Sequence, residues 1–237
     1  VATPPTFIQE RETAWNSDTS PKTTASFNVL ANDVLVAFSI DQGYNSVNTT
    51  ISGGSLTWSL RQSIRISSYC QVCVWTAVVD SNKSMTVSFD KPTSDWFGGN
   101  VFTFRGSDGY DNSAKTNVSS GAPTLNLHTL TDNCAVVVVN GDWNAVDGAS
   151  RTWRTNFGTL TEQTYDFESG TYTAYGGYHA DAGASATKAV GLSAPGSQKY
   201  SIVAVSIKGT TAETASVASF QPATQAPYPD KTVIVGY

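Results

Sequence analysis

Asp142, Trp143, Asn144 and Asp147 fall in one short run that combines two carboxylates, an amide and an aromatic ring. Oxygen ligands at this spacing could hold calcium, and the indole could stack on a sugar. The same residues also make an ordinary Asx-rich turn, with Trp143 packed over the end of a core. Trp96 and Phe97 sit together in a connection before Gly98 and Gly99, where two large rings either meet a partner or plug a core. Cys70 and Cys73 have the spacing of half a zinc site. The other half is missing, and residues three apart on a strand face opposite ways, so burial as thiols is the expectation. With three cysteines in the chain, at most one intramolecular bridge can form; if one does, Cys70 with Cys134 is expected.

Catalytic constellations are harder to assemble. Glutamate is scarce (Glu10, Glu12, Glu162, Glu168 and Glu213), and nothing in its spacing resembles a glycosidase carboxylate pair. His128 and His179 stand apart from any nucleophile elbow and are expected on strand surfaces. No glycine-rich loop leads into a helix that could cradle phosphate. A protein without catalysis, cofactor or metal is expected, and the residues above are candidates for contact rather than chemistry.

The elements that must position them are strands. Only 14% of the 237 residues are charged, and Ser, Thr, Gly and Asn dominate over helix formers. Strand-like runs cover 6–13, 25–30, 34–40, 56–64, 70–79, 85–89 and 101–105, then 124–129, 135–140, 152–155, 172–178, 186–192 and 200–207. Turn residues separate them, and the Gly-Gly pairs at 53–54, 98–99 and 176–177 read as bends and bulges. Val34, Val36, Phe38 and Ile40 form the more apolar side of their strand, which predicts one buried and one wet face, as in an antiparallel sandwich.

These runs are written twice. Ala25 to Val29 returns as Pro123 to Leu127, Asn32 to Phe38 as Asp132 to Val138, Trp58 as Trp153, Met85 to Phe89 as Ala189 to Leu192, and Val101 to Gly106 as Ala204 to Gly209. A diverged duplication of one β unit would drift in this way. The expected fold is therefore all-β: a duplicated antiparallel β-sandwich (jelly-roll or Ig-like), with units at 1–110 and 111–209 and an extended tail at 210–237. Trp58 and Trp153 are expected as equivalent core anchors.

Charge and hydropathy narrow the partners. A formal net charge of −5 gives no general attraction for nucleic acid. No apolar run approaches the ~20 residues of a membrane-spanning helix, so a soluble chain is expected. The opening Val1 to Pro5 carries no signal-like pattern and fits either a cleaved signal or a lost initiator Met. In the tail, Pro227-Tyr228-Pro229 imposes extended geometry, and Val233, Ile234 and Val235 form a β-prone end. Tyr228, Val233, Ile234 and Val235 could pair with a sheet edge of another chain, or could complete the chain's own sandwich.

Asn32 to Val36, Leu56 to Leu60, Val74 to Ala77, Val101 to Asp108 and Tyr200 to Gly209 together resemble a recurring β-sandwich family. That family occurs in secreted or surface proteins of bacteria, especially actinobacteria, and in structural proteins of their tailed phages. The resemblance spans roughly residues 6 to 209 and implies a head decoration, tail or fibre component working through protein–protein contacts, in a homo-oligomer or a capsid or tail lattice. Its alternative is a secreted adhesive or carbohydrate-binding module that meets a host glycan. A virion location, or an extracellular one, goes with each. The family brings no catalytic residues.

Overall fold

The computed structural model describes residues 2–16, 20–92, 96–142, 151–168 and 172–211, and these contain strands, turns and no helix. The first unit comprises β1 (Thr6–Glu12), β2 (Lys22–Thr23), β3 (Phe27–Val29), β4 (Val34–Asp41), β5 (Thr50–Gly53), β6 (Ser59–Ile66), β7 (Cys70–Val78), β8 (Lys83–Met85), β9 (Val87–Asp90) and β10 (Phe97–Arg105). The second comprises β11 (Ser107–Gly121), β12 (Thr124–His128), β13 (Ala135–Asp142), β14 (Thr152–Trp153), β15 (Leu160–Glu168), β16 (Tyr172–His179), β17 (Thr187–Ala194) and β18 (Gln198–Gly209). The chain passes from one to the other at Gly106, whose φ of 68° suits a residue without Cβ.

The two halves have the same topology. One five-stranded antiparallel sheet runs β1-β10-β4-β7-β6 and the other β11-β18-β13-β16-β15. The smaller sheets also correspond: β3-β8 and β2-β9-β5 occupy the place of β12-β17-β14, with β8 and β9 forming one interrupted strand. Each unit is thus a two-layered sandwich with jelly-roll connectivity, its first and last strands paired and its second strand in the opposite sheet. The duplication is real at the level of strand order.

The large sheets pack against each other, and this corrects the expectation of one wet face. All eight residues of β4 are buried, as are all eight of β13. Val34, Val36, Phe38 and Ile40 meet Val137, Val139, Val203, Val205 and Ile207 between the large sheets. Leu35 and Ala37 point the other way, into a core shared with Phe27, Val87 and Phe89 of the small sheets. Val136 and Val138 do the same in the second unit with Leu125, Leu127 and Val190. The result is four layers with three cores, so the central strands are buried on both faces.

The arrangement has an approximate two-fold axis between the large sheets. The β6 edge of the first lies over β11: Gln62 Nε2 donates to Ser113 Oγ (2.9 Å), and Lys115 Nζ donates to the Ser63 carbonyl (2.9 Å). The opposite edge lies over β15 and β16, where Phe7 stacks on Tyr178 at 4.4 Å and Asn100 Nδ2 donates to Thr164 Oγ1 (2.8 Å). Equivalent residues meet near the axis: a Cβ on Gly141 would lie 2.7 Å from Ile40 Cγ2.

Several local readings change with this architecture. Gly98, Gly99, Gly176 and Gly177 lie inside β10 and β16 rather than at bends. They are small because neighbouring groups press on them: Trp15 covers Gly98, Phe89 lies 2.6 Å from a Cβ on Gly99, and the Leu160 methyl and Thr161 carbonyl crowd Gly177. Trp58 and Trp153 are both half-buried against the outer cores of their units, but they are not equivalent: Trp153 lies on β14, where the matching β5 carries Gly53, and Trp58 lies just before β6. The longest strand, β11, escapes the sequence reading, since its residues 119–121 look like a turn.

Candidate functional site

Antiparallel register sets two distinct ends. β4 and β13 both start at the end where the chain enters and leaves, with Thr3 and Thr210 exchanging backbone hydrogen bonds of 2.9 and 3.0 Å. Both finish at the opposite end, beside the starts of β7, β10 and β16. Trp96 and Asp142 therefore come to the same end of the molecule, although they belong to different units. Trp143, Asn144 and Asp147, together with Tyr228, Val233, Ile234 and Val235, lie outside the described residues.

Trp96 is half-buried, packed on the inter-sheet core, with its ring 6.3 Å from Tyr172. Phe97 is 1% exposed, so it is a core residue and not a surface available to a partner. Its apolar ring faces the first unit's outer core, and the Lys22 ammonium stands 4.4 Å over it. That ammonium is caged by the carbonyls of Asn16 (2.6 Å), Phe97 (2.7 Å) and Ala14 (3.3 Å) and by Asn16 Oδ1 (2.6 Å).

A second buried ammonium lies close by. Lys91 Nζ is 2.8 Å from Asp41 Oδ2, both side chains wholly buried, and also donates to Val47 O (3.1 Å) and Gln71 Oε1 (3.2 Å). Asp41 Oδ1 accepts from the Gly43 amide at 2.7 Å. Such a pair is secured by the hydrogen bonds around it rather than by its charges alone.

Asp142 ends β13 as Asp41 ends β4 and is likewise wholly buried. Its carboxylate is a buried strand-end group and not part of an exposed loop surface. Burial pushes its pKa up to about 7, against the opposing pull of the Tyr175 and Thr173 hydroxyls. Next to it the second unit holds a polar and aromatic cluster. Arg151 grips Glu162 with Nε (2.6 Å) and Nη2 (2.5 Å), Trp153 Nε1 donates to Glu162 Oε2 (2.7 Å), and the guanidinium lies 4.0 Å over Tyr165. Glu162 is therefore fully engaged in holding the β14 and β15 segments together.

Two other expectations are corrected. His128 is exposed, but His179 is 1% exposed with Phe157 at 4.1 Å, because its side of β16 faces the outer core. Burial lowers its pKa to about 4, so it is a neutral imidazole at pH 7. All three cysteines are buried free thiols, and Cys70 and Cys134 cannot pair. Cys70 lies in the inter-sheet core where β7 starts, and Cys134 lies in the second unit's outer core just before β13, at the other end of the molecule. Burial raises all three thiols, Cys73 and Cys134 to about 11, which leaves them poor nucleophiles near neutrality. Cys70 and Cys73 do face different cores. Among the described residues no three His, Cys, Asp or Glu side chains gather as a metal-holding group.

Lys22, Asp41, Lys91, Asn140 and Tyr175 are absent from the sequence-based candidates. The signal for Asp41 and Asp142 was available: each closes the strand that the repeat matches. No protein family, no curated protein and no solved structure matches this chain.

Proposed function

We propose that the protein is a non-enzymatic structural component of a virion, a head decoration or tail-associated protein that works through assembly contacts. The observation that carries this reading is the two-ended body. The chain runs in and out side by side at Thr3 and Thr210, while Trp96 and Asp142 lie at the far end. A double sandwich with three apolar cores and its large sheets fused back to back is a stiff spacer between an attached end and a displayed end. The tail that follows Thr211 leaves from the attached end, where Tyr228 and Val233 to Val235 would pair with a neighbouring chain. A secreted glycan-binding module is the alternative, with the displayed end as its binding face.

Light scattering on the purified chain, with and without residues 222–237, tests this reading. Oligomers of the full chain and a folded monomer on truncation are expected. Monomers in both cases, or binding to glycans with no assembly, would count against it. Capsid or tail genes in the flanking reading frames would add independent support.

A further inference from the structure

The two copies of the unit treat the same buried acid differently. In the first, Asp41 is neutralised by Lys91, which directly follows β9. In the second, the register of β9 and β17 puts Gly196 at the corresponding place: Val87 pairs with Gly53 as Leu192 pairs with Trp153, and Lys91 and Gly196 each lie four residues further on. No lysine or arginine stands between Ser193 and Gln198. Arg151 is taken by Glu162, and Lys199 lies 3.4 Å over the Tyr69 ring in the first unit. Burial and two neutral hydroxyls are what act on the Asp142 carboxyl, with no cation among them.

Around this carboxylate the polar atoms are left unanswered. Among the described residues, both oxygens of Asp142, the amide oxygen and nitrogen of Asn140, and the Tyr175 hydroxyl are buried with no well-aligned hydrogen bond, although the Tyr175 and Thr173 hydroxyls stand close enough to the Asp142 carboxylate to favour its charge. Asn140 and Asp142 share one face of β13, and Tyr175 and Thr173 stand directly opposite them on β16. Directly opposed side chains in a sheet lie within reach of one another. Buried groups of this kind in native proteins are normally satisfied, so a cluster of them points to something that satisfies it.

We propose that Asn140, Asp142, Thr173 and Tyr175 form a site for a monovalent cation, which supplies in the second unit the positive charge that Lys91 supplies in the first. One carboxylate with a carbonyl and two hydroxyls offers hard oxygen ligands and a single negative charge. The set lacks the nitrogen and sulfur donors that favour zinc or copper, and the several carboxylates typical of tight calcium sites. Sodium, potassium and ammonium share the required chemistry.

The test is the melting temperature of the full chain at pH 8 in choline chloride against equal ionic strengths of sodium, potassium and ammonium chloride, with calcium and magnesium chloride as further arms. A ligand that binds only the folded state raises the melting temperature with concentration. We expect at least one small monovalent ion to raise it by about 4 °C or more at ~100 times its dissociation constant. Asp142→Asn should lose this response. Tyr175→Phe, which keeps the charge, should move the half-effect concentration upward by about tenfold and serves if the first variant fails to fold. Gly196→Lys should raise the melting point in choline and abolish the ion dependence. Equal melting in all chlorides, a response that survives Asp142→Asn, or a response confined to the divalent ions would each overturn the assignment.

Discussion

Gly176 and Phe38 belong to different copies of the repeat, and the structure puts them in contact across the inter-sheet core. A Cβ on Gly176 would lie 2.8 Å from Phe38 Cζ and 3.1 Å from Thr164 Cβ. Phe38 is wholly buried and has the Phe102 ring edge-on at 5.3 Å, so it cannot swing aside freely. Gly176→Ala should therefore cost about 1–3 kcal/mol by overpacking, less the ~0.4–1 kcal/mol that a Gly-to-Ala change contributes through the unfolded chain. Phe38→Leu alone gives up the aromatic pair and some packing, about 1–3 kcal/mol. In the double variant the shorter leucine leaves room for the new methyl. The two costs should then fall short of additivity by about 1 kcal/mol or more, read from urea unfolding of the four proteins. Additivity within ~0.5 kcal/mol, or a Gly176→Ala protein as stable as the parent, would mean that the two side chains do not meet.

Lys91→Met should destabilise the protein by about 3–5 kcal/mol, because it strands the Asp41 carboxylate in the core. Asp142→Asn, in the same urea assay and in choline buffer at pH 8, should be neutral or stabilising, since no protein cation is lost. His179 titrates near 6.5 unfolded and about 4 folded, so the unfolded chain binds the extra proton between those values. Stability should be complete above pH 6.5 and fall by about 3 kcal/mol as the pH drops through 4. His179→Leu should flatten that part of the stability–pH profile, and an unchanged slope would show that His179 does not cause it. Removal of residues 222–237 should leave the melting temperature within about 2 °C, because the strands of both units pair within residues 2–211.

Much of this fold could be read from residue patterns, and the misreadings have physical causes. The repeat located β3, β4, β10, β12, β13 and β18, because apolar alternation survives divergence when a core selects it. The sequence match of Asn32 with Asp132 is nevertheless one residue out. The left-handed asparagines are Asn32 and Asn133, and β4 and β13 then align end to end from Val34 with Ala135 to Asp41 with Asp142. One residue matters here, since a slip of one exchanges the two faces of a strand. The double burial of β4 was signalled by Leu35 and Ala37, which interrupt polar alternation and mark a strand covered on both sides. By contrast, β11 is an edge strand whose exposed positions are Asp, Lys, Asn and Ser, a composition shared with loops. The unpaired state of Asp142 could not be read locally. It depends on what the first copy places at Lys91 and the second does not.

The two large sheets lie face to face, and Gly141→Cys measures that directly. The β-carbon at this position falls against Cys70 Sγ of the other unit, with Ile40 beside it. In the parent the Cys70 thiol is free. Mild oxidation of the variant should join the two halves, seen by mass spectrometry without reduction as one linked peptide carrying Cys70 and position 141, lost on adding dithiothreitol. A folded variant that keeps both thiols free under the same oxidation, or that links position 141 to Cys134 instead, would contradict the back-to-back arrangement.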